Sequence, residues 1–185
     1  MPISDTPSKN LTNYFDVIDS IRKISRSIGI LALVAGAASC ANVAEAQKTG
    51  DRHKDWNVRC EKPAETVPEK CFIYQTLVNQ DDKPVLQVTI GYLGENNQPV
   101  AVFTLPLGVS LRAGVDVKVD QQDLFRIPYE RCAPNGCIAG IQLTDQHIAR
   151  LKAGSKGQVL VHDGRRQIPL EISLSGFTAG FNVLR

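Results

Sequence analysis

The residues of this chain best suited to covalent chemistry are four cysteines, Cys60, Cys71, Cys132 and Cys137. A thiol can act as a nucleophile, a metal ligand or half of a disulfide, and spacing separates these roles. A redox-active dithiol usually shows C-x-x-C, which is absent here; Cys132-Ala-Pro-Asn-Gly-Cys137 is longer and is built around a turn. A zinc site would need tighter cysteine pairs or nearby imidazoles, and His53, His147 and His162 stand in no such spacing. Structural disulfides are therefore expected, with no metal and no cofactor. Four cysteines allow three pairings, and the sequence does not choose among them. Proximity favours Cys60 with Cys71 and Cys132 with Cys137, the second bridge pinning a hairpin tip.

Other candidates for chemistry are weaker. His162-Asp163 has the composition of a base and its orienter, but neighbours on a strand point to opposite faces, so a turn before Gly164 is the better reading. Ala153-Gly-Ser-Lys-Gly157 lacks the G-x-x-x-x-G-K-[ST] spacing that cradles phosphate and reads as a helix-to-strand loop. Ser110, Ser155, Ser173 and Ser175 occur in no nucleophile-elbow sequence, and Asp81-Asp82 lies in a turn. Trp56, the single tryptophan, reads as a core residue packed against a disulfide. No catalytic residue is assigned, and a non-enzymatic protein is expected.

The disulfide reading depends on an oxidising address, and the amino terminus supplies one. Ile21–Ser27 is basic, Ile28–Ala38 is apolar and small, and Ala44-Glu-Ala46 precedes Gln47 as an A-x-A cleavage site. Residues 1–46 are thus expected to be a signal peptide, whose removal discards Cys40 and leaves an even set of thiols. Met1–Ser20 is long for the region ahead of such a signal, as a start codon assigned too far upstream would explain. Two alternatives compete: Ala37-Ala-Ser-Cys40 resembles a lipobox that would anchor the protein at Cys40, and the apolar run could be a retained anchor. The latter falls well short of the roughly 20 residues a spanning helix needs. No transmembrane span is expected in the mature protein, which would be periplasmic or associated with the outer membrane. The net charge of +2 is spread over scattered side chains, apart from Arg165-Arg166, which excludes a nucleic-acid footprint and a polybasic membrane patch.

The elements that position these residues are mostly strands. After a flexible leader at 47–54, a single domain over 55–185 alternates apolar and polar residues: Leu86, Val88, Ile90 and Tyr92; Val115, Val117 and Val119; Ile168, Leu170, Ile172 and Leu174. Cys71–Val78, Pro99–Leu105, Cys137–Leu143 and Gln158–His162 read as further strands, separated by turn formers at Asn79–Lys83, Gly94–Asn97, Asn135-Gly136 and Asp163-Gly164. Thr144-Asp145 caps a two-turn helix with Ile148 and Leu151 on one face and Gly154 as its stop. Phe177, Phe181 and Leu184 recur at helical spacing, against which Gly176 and Gly180 argue. The fold class expected is all-β: an antiparallel β-sandwich or partly open barrel with one or two short helices.

Several motifs occur in order over residues 55–184: Asp55-Trp56 with Cys60 and Cys71; Leu105-Pro-Leu-Gly-Val109 and then Leu111; Gly114-Val115 leading to Val119-Asp120; Tyr129 before Cys132 and Gly136-Cys137; and Ser173-Leu-Ser-Gly-Phe-Thr-Ala179. Together they resemble the invasion-associated locus B family of exported Gram-negative bacterial proteins. The resemblance implies a single β-rich envelope domain with two disulfides, some of whose relatives contribute to host-cell invasion. It carries no reaction and no catalytic residues. Gly180 departs from the helix-forming residue expected at its place.

Three functions compete. An exported interaction protein, with an unidentified envelope or host protein as partner, leads. A periplasmic module for a small ligand or lipid would need a deep apolar pocket between sheets. An envelope enzyme would need His162 or His147 gathered with a carboxylate and a hydroxyl. The strand pattern carries no oligomeric state.

Overall fold

Because successive side chains of a strand alternate between faces, each run with β-branched residues at every second position yields one apolar face that must be covered. The computed structural model describes residues 48–62, 65, 67–93 and 97–184. The signal segment, its cleavage site and Cys40 lie outside them. The strands are β1 (Arg52–His53), β2 (Trp56–Glu61), β3 (Lys70–Val78), β4 (Pro84–Gly91), β5 (Val100–Leu105), β6 (Val115–Val119), β7 (Gln122–Ile127), β8 (Arg131–Ala133), β9 (Gly136–Gln142), β10 (Lys156–His162) and β11 (Gln167–Ser173). Two helices, α1 (Asp145–Ala153) and α2 (Phe177–Asn182), complete the set. Neither is long and apolar enough to cross a membrane.

The strands form two antiparallel sheets, one ordered β1-β2-β3-β4-β5-β9-β8 and the other β11-β10-β6-β7. Their inner faces share one core. Trp56, Ile73, Val88 and Phe103 come from the larger sheet, Val115, Val117, Val159 and Ile172 from the smaller, and Phe177 from α2. This is the expected sandwich, not a closed barrel. Four strands cannot cover seven, and α2 fills part of the difference by packing on β1, β2 and β3.

Each strand expected by alternation is present to within a few residues. Two differences are instructive. Of the leader expected at 47–54, the described residues from Gly50 on dock against the sheet: Gly50 N–H donates to Val58 O at 3.0 Å, Val58 N–H donates to Asp51 O at 2.7 Å, and β1 pairs with β2. Hydrogen bonds to an otherwise exposed edge order this polar segment, which alternation could not reveal. Strand β7 has no turn signal in the sequence, because its two-residue turn from β6, Asp120-Gln121, contains no glycine. Both residues adopt left-handed backbone (φ 47° and 66°). The Asp120 carboxylate accepts from the Ser155 and Lys156 amides at 3.0–3.2 Å, which fixes the turn against the α1–β10 connection.

Both helices form. Thr144 caps α1 with its hydroxyl accepting from His147 N–H at 3.2 Å, while His147 Nδ1 accepts from Thr144 N–H at 3.3 Å. The helix buries Ile148 and Leu151 and stops at Gly154, as its sequence predicts. In α2, Gly180 packs closely: a Cβ there would lie 3.1 Å from the Ile73 Cγ2 methyl, which would have to give by a few tenths of an ångström, and at ordinary contact distance, 3.5 Å, from the His53 ring. The residue that weakens the helix in the sequence stands where α2 lies closest to Ile73 of β3.

Candidate functional site

The four cysteines stand in two bonded pairs. Cys60–Cys71 joins directly opposed residues of β2 and β3, and Cys132–Cys137 joins opposed residues of β8 and β9. The first closes the base of the β2–β3 connection and the second sits beside the Pro134-Asn135 turn, so both act on the scaffold. With their sulfurs bonded, none offers a thiolate to a metal or substrate. Among the described residues no group of three His, Cys, Asp or Glu side chains is placed to hold a metal ion.

The imidazoles are dispersed. His147 serves the α1 cap and packs against Phe125, ring centroids 5.1 Å apart. His53 lies beside Gly180, its Nε2 buried with no hydrogen-bond partner among the described residues. His162 ends β10, and Asp163 turns the chain toward β11. The Asp163 carboxylate accepts from Arg165 N–H at 2.8 Å and Arg166 N–H at 2.9 Å and pairs with the Arg166 guanidinium. Those backbone bonds hold its carboxyl below the usual carboxylate range. Asp163 is committed to its turn, as the sequence predicts.

Trp56 is fully buried, and the ring it meets is Phe177, edge-on with centroids 5.4 Å apart, where the sequence reading placed a disulfide. Its indole N–H donates to Ser173 O at 3.0 Å. Gln75 on β3 completes this junction: its amide oxygen accepts from Ser173 N–H at 2.9 Å, while its NH2 group donates to Asp55 O at 3.0 Å and to Ser173 O at 3.2 Å. A side chain thus supplies, across the gap between sheets, the pairing that a neighbouring strand would give β11. Nothing in the sequence around Gln75 marks it.

At its other end β11 has no such clamp among the described residues, and an apolar notch opens there. The notch measures about 220 Å³ and is walled by Val85, by Leu105–Val109, by Val161 and by Ile168 and Leu170, with His162 and Asp163 at its lip. Ser110 N–H donates to His162 O at 2.7 Å and holds the 106–113 strap beside the β10–β11 turn. Large hydrophobic side chains are mostly buried in a small soluble domain, so the exceptions are informative. Leu107 (58 % exposed) and Leu111 (55 %) lie on this strap, and Val78 (52 %) lies opposite Pro84, next to the notch residue Val85. The Leu105-Pro-Leu-Gly-Val109 motif, noticed in the sequence only as part of a pattern, thus builds the floor and lip of the notch. The site offers shape and a mostly apolar surface, with His162 and Asp163 as its ionisable lining residues.

Away from the notch, the Tyr129 hydroxyl is buried with no hydrogen-bond partner among the described residues, and burial pushes its pKa up to about 12. Burial also raises the neighbouring Glu130 carboxyl, opposed by Arg131 and by the Gly140 amide. Neither residue lines the notch.

Comparison with known proteins agrees with this architecture. Two Brucella abortus proteins, from strain 2308 and from biovar 1 strain 9-941, each named as an invasion protein B homolog, are 24 % identical over 135 residues, covering 71 % of this chain and 76 % of theirs. The crystal structure of invasion associated protein B from Bartonella henselae superposes with a TM-score of 0.64 at 22 % identity, covering 72 % of this chain and 92 % of that one, which establishes the shared fold. Residues 56–185 match the family described as invasion associated locus B protein, so the chain belongs to that family.

Proposed function

We propose that this chain is an exported, non-enzymatic protein of the bacterial envelope that acts by non-covalent recognition, periplasmic or at the outer membrane, after cleavage of its signal. The observation that carries the reading is the notch: mostly apolar, open to solvent and lined by the exposed Leu107, with the exposed Leu111 farther along the same strap. Exposed apolar surface gathered at one place on a domain marks a binding face. The two disulfides suit an oxidising compartment. Relatives named as invasion proteins make host-cell invasion the process in which such binding would act.

Site-specific photocrosslinkers at Leu107 and Leu111, with a control at exposed Asp123, test the reading in intact cells. Recovery of the same adduct from both strap positions and none from the control is expected. A deletion strain tests the cellular role: reduced invasion that is restored by the wild-type chain, but not by Leu107→Glu, links the notch to the process. Absence of any adduct, together with unchanged invasion, refutes the proposal.

A second reading, an envelope module for a small ligand or lipid, is favoured by the apolar character of the notch walls. It differs from the first in the size of the partner.

A further inference from the structure

We infer that the notch receives an extended segment of a partner protein, added as a strand along the outer edge of β11, with alternate apolar side chains entering the notch and a lysine or arginine facing Glu171. This inference rests on the recognition reading above and names the form of its partner.

The N–H and C=O of one strand residue point to the same side, and successive residues alternate. On β10, Lys156 O accepts from Asp120 N–H at 2.9 Å and His162 O accepts from Ser110 N–H at 2.7 Å, so Lys156 and every second residue as far as His162 turn their backbone away from β11. Their partners in register are Ser173, Glu171, Pro169 and Gln167, which therefore turn theirs away from β10. Ser173 obeys this parity: its N–H donates to the Gln75 amide oxygen at 2.9 Å, and its own oxygen accepts from the Trp56 indole at 3.0 Å. Side chains of the larger sheet thus satisfy the outer edge of β11 at Ser173. Gln167, Pro169 and Glu171 are exposed, and no neighbour among the described residues takes their outward backbone groups.

Along roughly 13 Å of edge these residues offer carbonyl oxygens at all of their positions and N–H groups at Gln167 and Glu171. Pro169 has no N–H, which bars indiscriminate pairing and sets the register of a strand that does pair. The side chains between them, Ile168 and Leu170, line the notch together with Val85 and Leu105–Val109. A strand laid on this edge sends every second side chain in among those residues, beside the exposed Leu107. It also extends a sheet of four strands that faces one of seven.

On the solvent face, the Glu171 side chain is 59 % exposed and lies 3.8 Å from Lys156, a loose pair that leaves its carboxylate open to a second cation. A basic side chain directly across the added pair sits about 5 Å away at Cβ, whereas an acidic one is repelled. A second copy of this chain is disfavoured as the occupant, because antiparallel pairing of two β11 edges about Pro169 sets each Pro169 carbonyl against a residue with no N–H.

Screening the purified protein, disulfides intact, against a displayed library of short linear peptides tests the inference. Enriched peptides should carry apolar residues at every second position and Lys or Arg on the alternate face. A synthetic copy should move the amide resonances of Gln167, Glu171 and Val85. N-methylation of the peptide amides that face β11 should weaken binding by about tenfold, and N-methylation of the intervening amides should leave it unchanged. Glu171→Lys, at an exposed position, should weaken it by about threefold.

The inference is overturned if no alternating sequence is enriched, if both sets of N-methyl peptides bind alike, or if the resonances that move lie away from β11. It also falls if sedimentation shows a dimer that the peptide dissociates, since the edge would then be occupied by a second copy. An adduct at Leu107 that maps to a folded surface of the partner, with no peptide enriched, would leave the recognition function standing while this inference fails. Absence of both adduct and peptide overturns the two together.

Discussion

The junction at Gln75 is the point at which one side chain determines how the two sheets are joined. Replacing it by leucine keeps the volume and removes three hydrogen bonds, two to Ser173 and one to Asp55. Ser173 O retains the Trp56 indole as donor, so the groups deprived of the partner described here are Ser173 N–H and Asp55 O. Partly buried groups left unpaired cost about 1–3 kcal/mol each at full burial, and partial access to water lowers this, so a total near 2–3 kcal/mol is expected for Gln75→Leu. On a urea denaturation curve that is a loss of roughly 1 M in midpoint at unchanged slope. Gln75→Glu separates hydrogen bonding from packing. Its carboxylate keeps the bond from Ser173 N–H but faces two carbonyl oxygens, which raises its pKa in the folded state above the unfolded value. A raised carboxyl pKa means that the folded protein binds the extra proton first, so the variant is least destabilised below about pH 4 and loses stability as pH rises through the folded pKa. A cost under about 0.5 kcal/mol for the leucine variant, or a pH-independent difference between the glutamate variant and wild type, would refute this account of the junction.

Four further expectations follow from the same structure. By the chain-entropy argument, opening Cys60–Cys71 (separation 11) should cost about 2.8 kcal/mol and opening Cys132–Cys137 (separation 5) about 2.2 kcal/mol, as paired serine variants under denaturant will show. Intact mass after alkylation should rise by four adducts, and only following reduction, in protein that begins at Gln47. Gly176→Ala places a Cβ against His53 O at φ 89° and should cost about 3 kcal/mol by thermal denaturation. Tyr129→Phe should remove the phenolate absorbance component near pH 12 and stabilise the domain by up to about 1 kcal/mol at pH 7, since the hydroxyl has no partner among the described residues. The sign for the wild type follows from the raised pKa: the neutral phenol's contribution is intact below about pH 10 and is lost as pH rises through about 12.

The sequence revealed what period-two alternation and strong turn residues encode. Leu86–Tyr92, Val115–Val119 and Ile168–Leu174 declared their strands because one face of each is apolar and the other polar. What stayed hidden depends on groups far apart in the chain. Asp120-Gln121 reads as unremarkable because its left-handed turn is held by amides some 35 residues away, at Ser155 and Lys156. Gly180 reads as a helix breaker until Ile73 and His53 are placed beside it. Gln75 reads as a polar position on a strand, and its partner Ser173 is 98 residues distant. The notch residues were visible singly, in the Leu105–Val109 motif and the Ile168 alternation, but nothing local says that these two segments face each other.

The two ends of β11 connect the scaffold to the proposed function. At Ser173 the strand is fastened to the larger sheet by Gln75 and Trp56, and α2 covers β1 to β3 just beyond. At Ile168 it is fastened only to β10, and Pro169 denies the outer edge one amide with which another strand might pair. The strap's leucines, Leu107 and Leu111, remain in water because no element of the smaller sheet extends over them. Filling the notch with Leu170→Phe should stabilise or leave unchanged the free protein, because the space exists, yet abolish the crosslinked adduct at Leu107. Such opposed effects distinguish a built binding site from a packing defect. If the phenylalanine destabilises by more than about 1 kcal/mol, the walls lack the room assigned to them and the notch is closed to a partner's side chain as well.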